Sequence, residues 1–198
     1  MAVLEQCLLL RAYSRQTRQR IFVLHGLGGI GKTQLAVDFA RRHQAVFSSV
    51  FWLDGRSEDQ LRRSLASCAK RIPQGQIPDR SREVAPSSVD DLNIVVADVV
   101  EWLARPDNVD WLLIFDNVDQ DHEQGGITGA YDVRKYLTAD HGAVLITTRL
   151  TQLAQLGDAE QLKKVDEELA RAIFQQWRGA ELGKASANTL GSELIRLQ

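Results

Sequence analysis

Four short apolar runs punctuate the chain: IFVLH (21–25), SVFWLDG (49–55), WLLIFD (111–116) and GAVLITT (142–148). None alternates apolar with polar positions, and β-branched and aromatic residues dominate. This is the pattern of strands buried on both faces. Between the runs the period changes. KTQLAVDFARRH (32–43) puts Leu35, Ala36, Phe39 and Ala40 at helical spacing. SEDQLRRSLASCAKRI (57–72) reads as an amphipathic helix with Ser57 as its N-cap, and SVDDLNIVVADVVEWLARP (88–106) as a helix stopped by Pro106. PQGQIPDRSREVAPSS (73–88) holds three of the four prolines and is expected to be a mobile loop. QDHEQGGITG (120–129) is a polar loop. AEQLKKV (159–165) carries a weaker signal for a short fifth strand, and 166–177 and 187–198 read as helices.

Strands alternating with helices imply a mostly parallel sheet of about five strands with helices on both faces, an α/β fold. The expected organisation is a helical linker over 1–20, a core over 21–165 and C-terminal helices over 166–198. A hydrophobic fraction of 44% and a charged fraction of 25% in 198 residues suit one soluble domain. The formal net charge of -2 gives no pointer to nucleic acid or to an anionic membrane. No apolar run reaches the roughly 18 residues of a membrane helix, and the N-terminal stretch lacks the layout of a secretion signal. Cys7 and Cys68 supply neither a disulfide framework nor a zinc ligand set, and read as reduced thiols of a cytoplasmic protein.

The chemistry concentrates in HGLGGIGKTQLA (25–36), which has two spellings. Gly26, Gly28 and Gly31 give G-x-G-x-x-G, the dinucleotide fingerprint, and Asp54 ends the second strand close to where a ribose-binding acid would stand. Gly26 to Thr33 also give G-x-x-x-x-G-K-T, the phosphate loop. On the glycines and Asp54 alone the two are comparable. Lys32-Thr33 breaks the tie. In a phosphate loop the ammonium contacts the β/γ oxygens and the hydroxyl ligates Mg²⁺. A lysine in a helix's first turn is otherwise unfavourable beside the positive end of the dipole.

A second feature lies far away in the chain. WLLIFDNVD (111–119) leads four apolar residues to Asp116 at a strand's C-terminal end, the Walker B pattern. Alone, Asp116-Asn117 reads as the turn after a strand. Paired with the loop, it places a carboxylate near Mg²⁺, because parallel strands end on one side of the sheet. Asp119 is a candidate to orient or deprotonate water. LITTR (145–149) brings Thr147, Thr148 and Arg149 to the same edge, where Arg149 would neutralise γ-phosphate charge.

In this order, FVLHGLGGIGKTQLA, VFWLDG, LLIFDNVD and AVLITTR resemble the NB-ARC/NACHT-like, STAND-class signalling ATPases, and look most like the NLR-like NB-ARC domains of filamentous fungi. The resemblance spans about residues 20–178 and implies a P-loop NTPase three-layer sandwich, with Walker A after strand 1 and Walker B after strand 3. It implies a nucleotide switch that holds ADP at rest and exchanges it for ATP. By resemblance Gly26, Leu27, Gly28, Gly29, Ile30, Gly31, Lys32, Thr33 and Gln34 bind the nucleotide, Thr33 and Asp116 hold Mg²⁺, and Arg149 is the sensor. Asn117 stands where plant-type members carry a second aspartate, and the D-x-x-D spacing of Asp116 and Asp119 looks more like that of NACHT members. The family's upstream "GR" and downstream "GLPLA" motifs are not in this sequence, so the chain is expected to be a core without its flanks, and its turnover slow or absent.

The expectation is an adenine-nucleotide and Mg²⁺-dependent signalling core, at most a slow ATPase. It neither binds nucleic acid nor enters a membrane. Its protein partners would be flanking signalling domains, and the resemblance leaves room for oligomerisation of an activated, longer form. Two rivals stand beside this reading: a non-catalytic interaction module with a vestigial loop, and an NAD-binding oxidoreductase.

Overall fold

The computed structural model describes residues 1–9, 18–83, 86–120, 130–137 and 139–163. Met1–Leu162 form one compact unit. The helices expected at 166–177 and 187–198, and the loop from 121 to 129, lie outside the described residues.

Five parallel strands form the sheet: β1 (Arg20–His25), β2 (Ser49–Asp54), β3 (Trp111–Asp116), β4 (Ala143–Thr148) and β5 (Asp158–Gln161). Their spatial order is β2-β3-β4-β1-β5. The continuous apolar runs have a simple cause. All six residues of β3 and of β4 are buried. Leu112 and Ile114 point to one face, with Phe22, Leu24 and Leu145; Leu113 and Phe115 point to the other, with Val23, Val144 and Ile146. Both faces are covered, so neither tolerates polar alternation. The edge strands β2 and β5 are less buried, and β5 carries the polar sequence DAEQ, which explains its faint signal.

One face is covered by α1 (Ala2–Leu9) and α2 (Lys32–His43), through Leu4, Cys7 and Leu8 and through Ala36 and Phe39. A His43–Glu5 contact of 3.0 Å joins the two helices, and Arg20 Nη1 donates to the Leu8 carbonyl at 2.7 Å, occupying an end-of-helix acceptor. The opposite face is covered by α3 (Glu58–Cys68) and α5 (Val89–Leu103). Cys7 and Cys68 therefore lie on opposite faces as buried thiols, and burial pushes each up to about 12.

Helix starts follow the sequence. Ser57 accepts from the Gln60 N–H, as read for α3. At α5 Ser88 accepts from the Asp91 N–H at 3.0 Å, while Asp91 accepts from the Ser88 N–H at 3.1 Å. Replacing Ser88 by alanine is expected to cost about 1 kcal/mol, seen as a fall in melting temperature of about 3 °C. Helix α5 ends at Leu103, just ahead of Pro106 as expected, and Asn108 and Trp111 donate to the Trp102 and Leu103 carbonyls, both at 2.9 Å. One stretch differs from the sequence reading. The expected loop 73–88 contains a short helix, α4 (Asp79–Glu83), following Pro78. Its sequence DRSRE has no apolar period; polar bonds fix it instead, Ser81 to Asp98 and Arg82 to the Ile72 carbonyl.

Candidate functional site

Because β4 lies between β1 and β3, residues leaving β4 stand between the glycine loop and the end of β3. The loop follows β1 directly. Leu27, Gly28 and Gly29 are exposed. Gly31 precedes α2 with φ 99°, a left-handed conformation that a side chain would strain, and no side chain caps the helix there. The first-turn N–H groups of α2 thus lack a protein cap, as an anion site at a helix start requires.

Lys32 is 7% exposed, and its ammonium donates to the Gly26 and Leu27 carbonyls at 2.8 and 2.9 Å. The charged head is thereby held inside the curve of the loop. Burial lowers its pKa, Asp119 and Asp116 oppose that shift, and the Arg149 charge adds to it. Thr33, one residue on, donates to Asp116 Oδ1 at 2.8 Å across 83 positions of sequence. Asp116, 7% exposed, also accepts from Thr147 Oγ1 at 2.6 Å and from Asn117 Nδ2 at 3.1 Å. Thr147 Oγ1 in turn accepts from the Asn117 N–H at 2.9 Å, and Asn117 has a φ of 61°. Thr147, brought to this edge by β4, faces the carboxylate. Three donors and a fixed backbone leave Asp116 one orientation.

Neighbouring ligands of an octahedral Mg²⁺ at about 2.1 Å lie about 3 Å apart. The Thr33–Asp116 separation of 2.8 Å suits such a pair. Among the described residues no group of three or more His, Cys, Asp or Glu side chains gathers as a metal cage. A site with one hydroxyl and one carboxylate relies on phosphate oxygens and water for the remaining ligands, as Mg²⁺ sites commonly do.

Asp119 is not turned to open solvent. Its Oδ1 accepts from the Arg149 N–H at 2.7 Å and its Oδ2 from Arg149 Nε at 2.9 Å. The Arg149 guanidinium rests on the glycine loop: a Cβ at Gly28 would stand 3.1 Å from its Cζ. The structure thus brings Lys32, Thr33, Asp116, Asp119 and Arg149 to one edge. Gln34 is exposed in the first turn of α2, and Ile30 is half-buried. Asn117 as a donor to Asp116, and Leu162, whose N–H bonds the His25 carbonyl at 2.8 Å, had no sequence signal.

Asp54 corrects the dinucleotide reading. That fold places its second strand beside its first, whereas here β3 and β4 separate β2 from β1. Three strand spacings put β2 about 14 Å from β1. Asp54 is instead bonded to Arg56 at 2.6 Å, and this guanidinium holds its carboxyl below the usual range.

No family model and no curated protein matches the chain. Similar solved structures include the crystal structure of Cdc6p from Pyrobaculum aerophilum, with 14% identity over 81% of this chain and 43% of that one and a TM-score of 0.49. Another is Drosophila ORC bound to GC-rich DNA and Cdc6, with 13% identity over 83% and 53% of the respective chains and a TM-score of 0.44. The chain spans about half the length of these structures. Among the described residues no helix is long and apolar enough to cross a membrane. With the glycine loop after β1, Asp116 at the end of β3 and helices on both faces of a parallel five-stranded sheet, the architecture is the α/β sandwich that the sequence predicts.

Proposed function

We propose that this chain is the nucleotide-binding core of a signalling switch of the NB-ARC/STAND kind, taking ADP or ATP with Mg²⁺. One observation carries the reading: the Thr33–Asp116 hydrogen bond, which joins a G-x-x-x-x-G-K-T loop to a strand-end carboxylate 83 residues away. Gly26 to Gln34 would wrap the phosphates, Lys32 would neutralise them, and Thr33 and Asp116 would hold Mg²⁺. Held there, Mg²⁺ would supply positive charge to offset that of the phosphates. Adenine and the signalling role rest on the sequence resemblance alone. Turnover is slow in this reading, because the residue after Asp116 is Asn117, an amide that donates to Asp116 and takes no proton from water.

Thermal melting with ADP, ATP, GTP and NAD, each with and without Mg²⁺, tests it. A ligand at 100 times its Kd stabilises by about 2.7 kcal/mol, which for a domain of this size raises the midpoint by about 5 °C or more. The expected result is that shift with ADP and with ATP, larger with Mg²⁺, and none with NAD. Stabilisation by NAD alone would refute the proposal. If no nucleotide bound, the interaction-module reading would replace it.

A further inference from the structure

Asp119 and Arg149 form a pair whose role the nucleotide reading leaves open. Asp119 follows β3 and Arg149 follows β4, the strand interposed between β3 and the glycine loop. The arginine is held twice by one carboxylate, through its N–H and through Nε. Its side chain is otherwise 64% exposed, and its guanidinium lies against Gly28 in the phosphate loop. A long, exposed side chain fixed at its base by one carboxylate has two stable options, that carboxylate or another anion within reach.

We propose that Asp119 is a positioning residue that sets the preference for a nucleoside diphosphate over a triphosphate, by competing with the third phosphate for the Arg149 guanidinium. This rests on the nucleotide reading above. A bound triphosphate would present its third phosphate to the edge where Thr33 and Asp116 would hold Mg²⁺. Arg149 leaves the strand that separates those groups. With Lys32, Arg149, Asp116 and Asp119 together, the side-chain charges at the edge cancel. A diphosphate leaves the Arg149–Asp119 pair intact. A triphosphate would draw the Arg149 guanidinium away and leave Asp119 with the Arg149 N–H alone, beside added negative charge. Asp119 therefore opposes the triphosphate form through Arg149, a role distinct from that of a general base, which would present an oxygen to water.

Calorimetric titration of the full chain with ADP and with the β,γ-imido analogue of ATP, both with Mg²⁺, tests this. Asp119→Asn removes the charge and keeps an oxygen for the Arg149 N–H. It is expected to favour the triphosphate analogue over ADP by about fivefold, the scale of one partly exposed ion pair. The ADP Kd should change less than twofold. Arg149→Ala should weaken the analogue more than ADP, and in that background Asp119→Asn should no longer move the ratio. Asp119→Ala provides a second variant if the asparagine form does not melt cooperatively. An unchanged ratio overturns the proposal, as does the same change without Arg149. Failure of the unaltered chain to bind ADP overturns the nucleotide reading itself, whereas ADP binding with an unmoved ratio overturns only the role of Asp119.

Discussion

Lys32→Ala should abolish ADP binding, raising its Kd by about 100-fold or more. Each charge-assisted hydrogen bond from an ammonium to a phosphate oxygen contributes about 1.5–3 kcal/mol, and the lysine would make at least two. The fold should tolerate the change. Lys32 donates only to the Gly26 and Leu27 carbonyls among the contacts seen, in a loop whose exposed positions let water take its place. Alanine also favours the first turn of α2. The expected outcome is an unliganded melting temperature close to that of the unaltered chain, with the ADP-induced shift gone. Lys32→Arg should not restore binding, since a planar guanidinium does not fit where a compact ammonium is enclosed. ADP binding at the original affinity after Lys32→Ala would mean that the loop does not cradle phosphates.

The elements that sequence displays clearly are those whose burial leaves a mark on composition. β3 and β4 are buried on both faces and read as unbroken apolar runs, and α2 and α3 show their buried stripe at helical spacing. Elements held by polar bonds leave little trace. Helix α4 is fixed by Ser81 and Arg82, and β5 is an edge strand of polar residues paired to β1 through its backbone. Strand order is invisible for a different reason. Every parallel strand of this kind has the same apolar signature, so the chain does not announce that β4 inserts between β1 and β3.

That insertion decides how much of the site was legible. The glycine loop and Asp116 could be paired from the sequence because both must lie at one edge of the sheet. Their direct contact through Thr33 and Asp116 follows from α2 starting beside β4 and reaching toward β3. The contacts that the sequence could not supply lie at the interposed strand. Thr147 is one strand away from Asp116 and orients it, and Arg149 meets Asp119 before it can meet a ligand. A sequence reading assigns such residues to the ligand because it sees their chemistry but not their nearest neighbours.

At the opposite edge of the sheet, Gly142→Ala should destabilise the fold by about 3–5 kcal/mol, combining left-handed strain with overpacking. Gly142 has a φ of 83°, and a Cβ there would lie 2.4 Å from Trp111 Cζ2. The indole cannot retreat cheaply. It is 1% exposed, and its Nε1–H donates at 2.9 Å to the Leu103 carbonyl, which His141 also contacts at 3.0 Å. Moving the ring would unpair the end of α5 and open the core beside it. Gly75→Ala separates the two contributions, because Gly75 has a similar φ of 78° and nothing within 4 Å of a Cβ. That variant should lose only about 1–2 kcal/mol. Urea unfolding of both measures the difference, provided the slopes agree. Equal losses would show that Trp111 yields without cost. ADP affinity of the folded Gly142→Ala protein should be unchanged, since Gly142 precedes β4 and the phosphate loop follows the far end of β1.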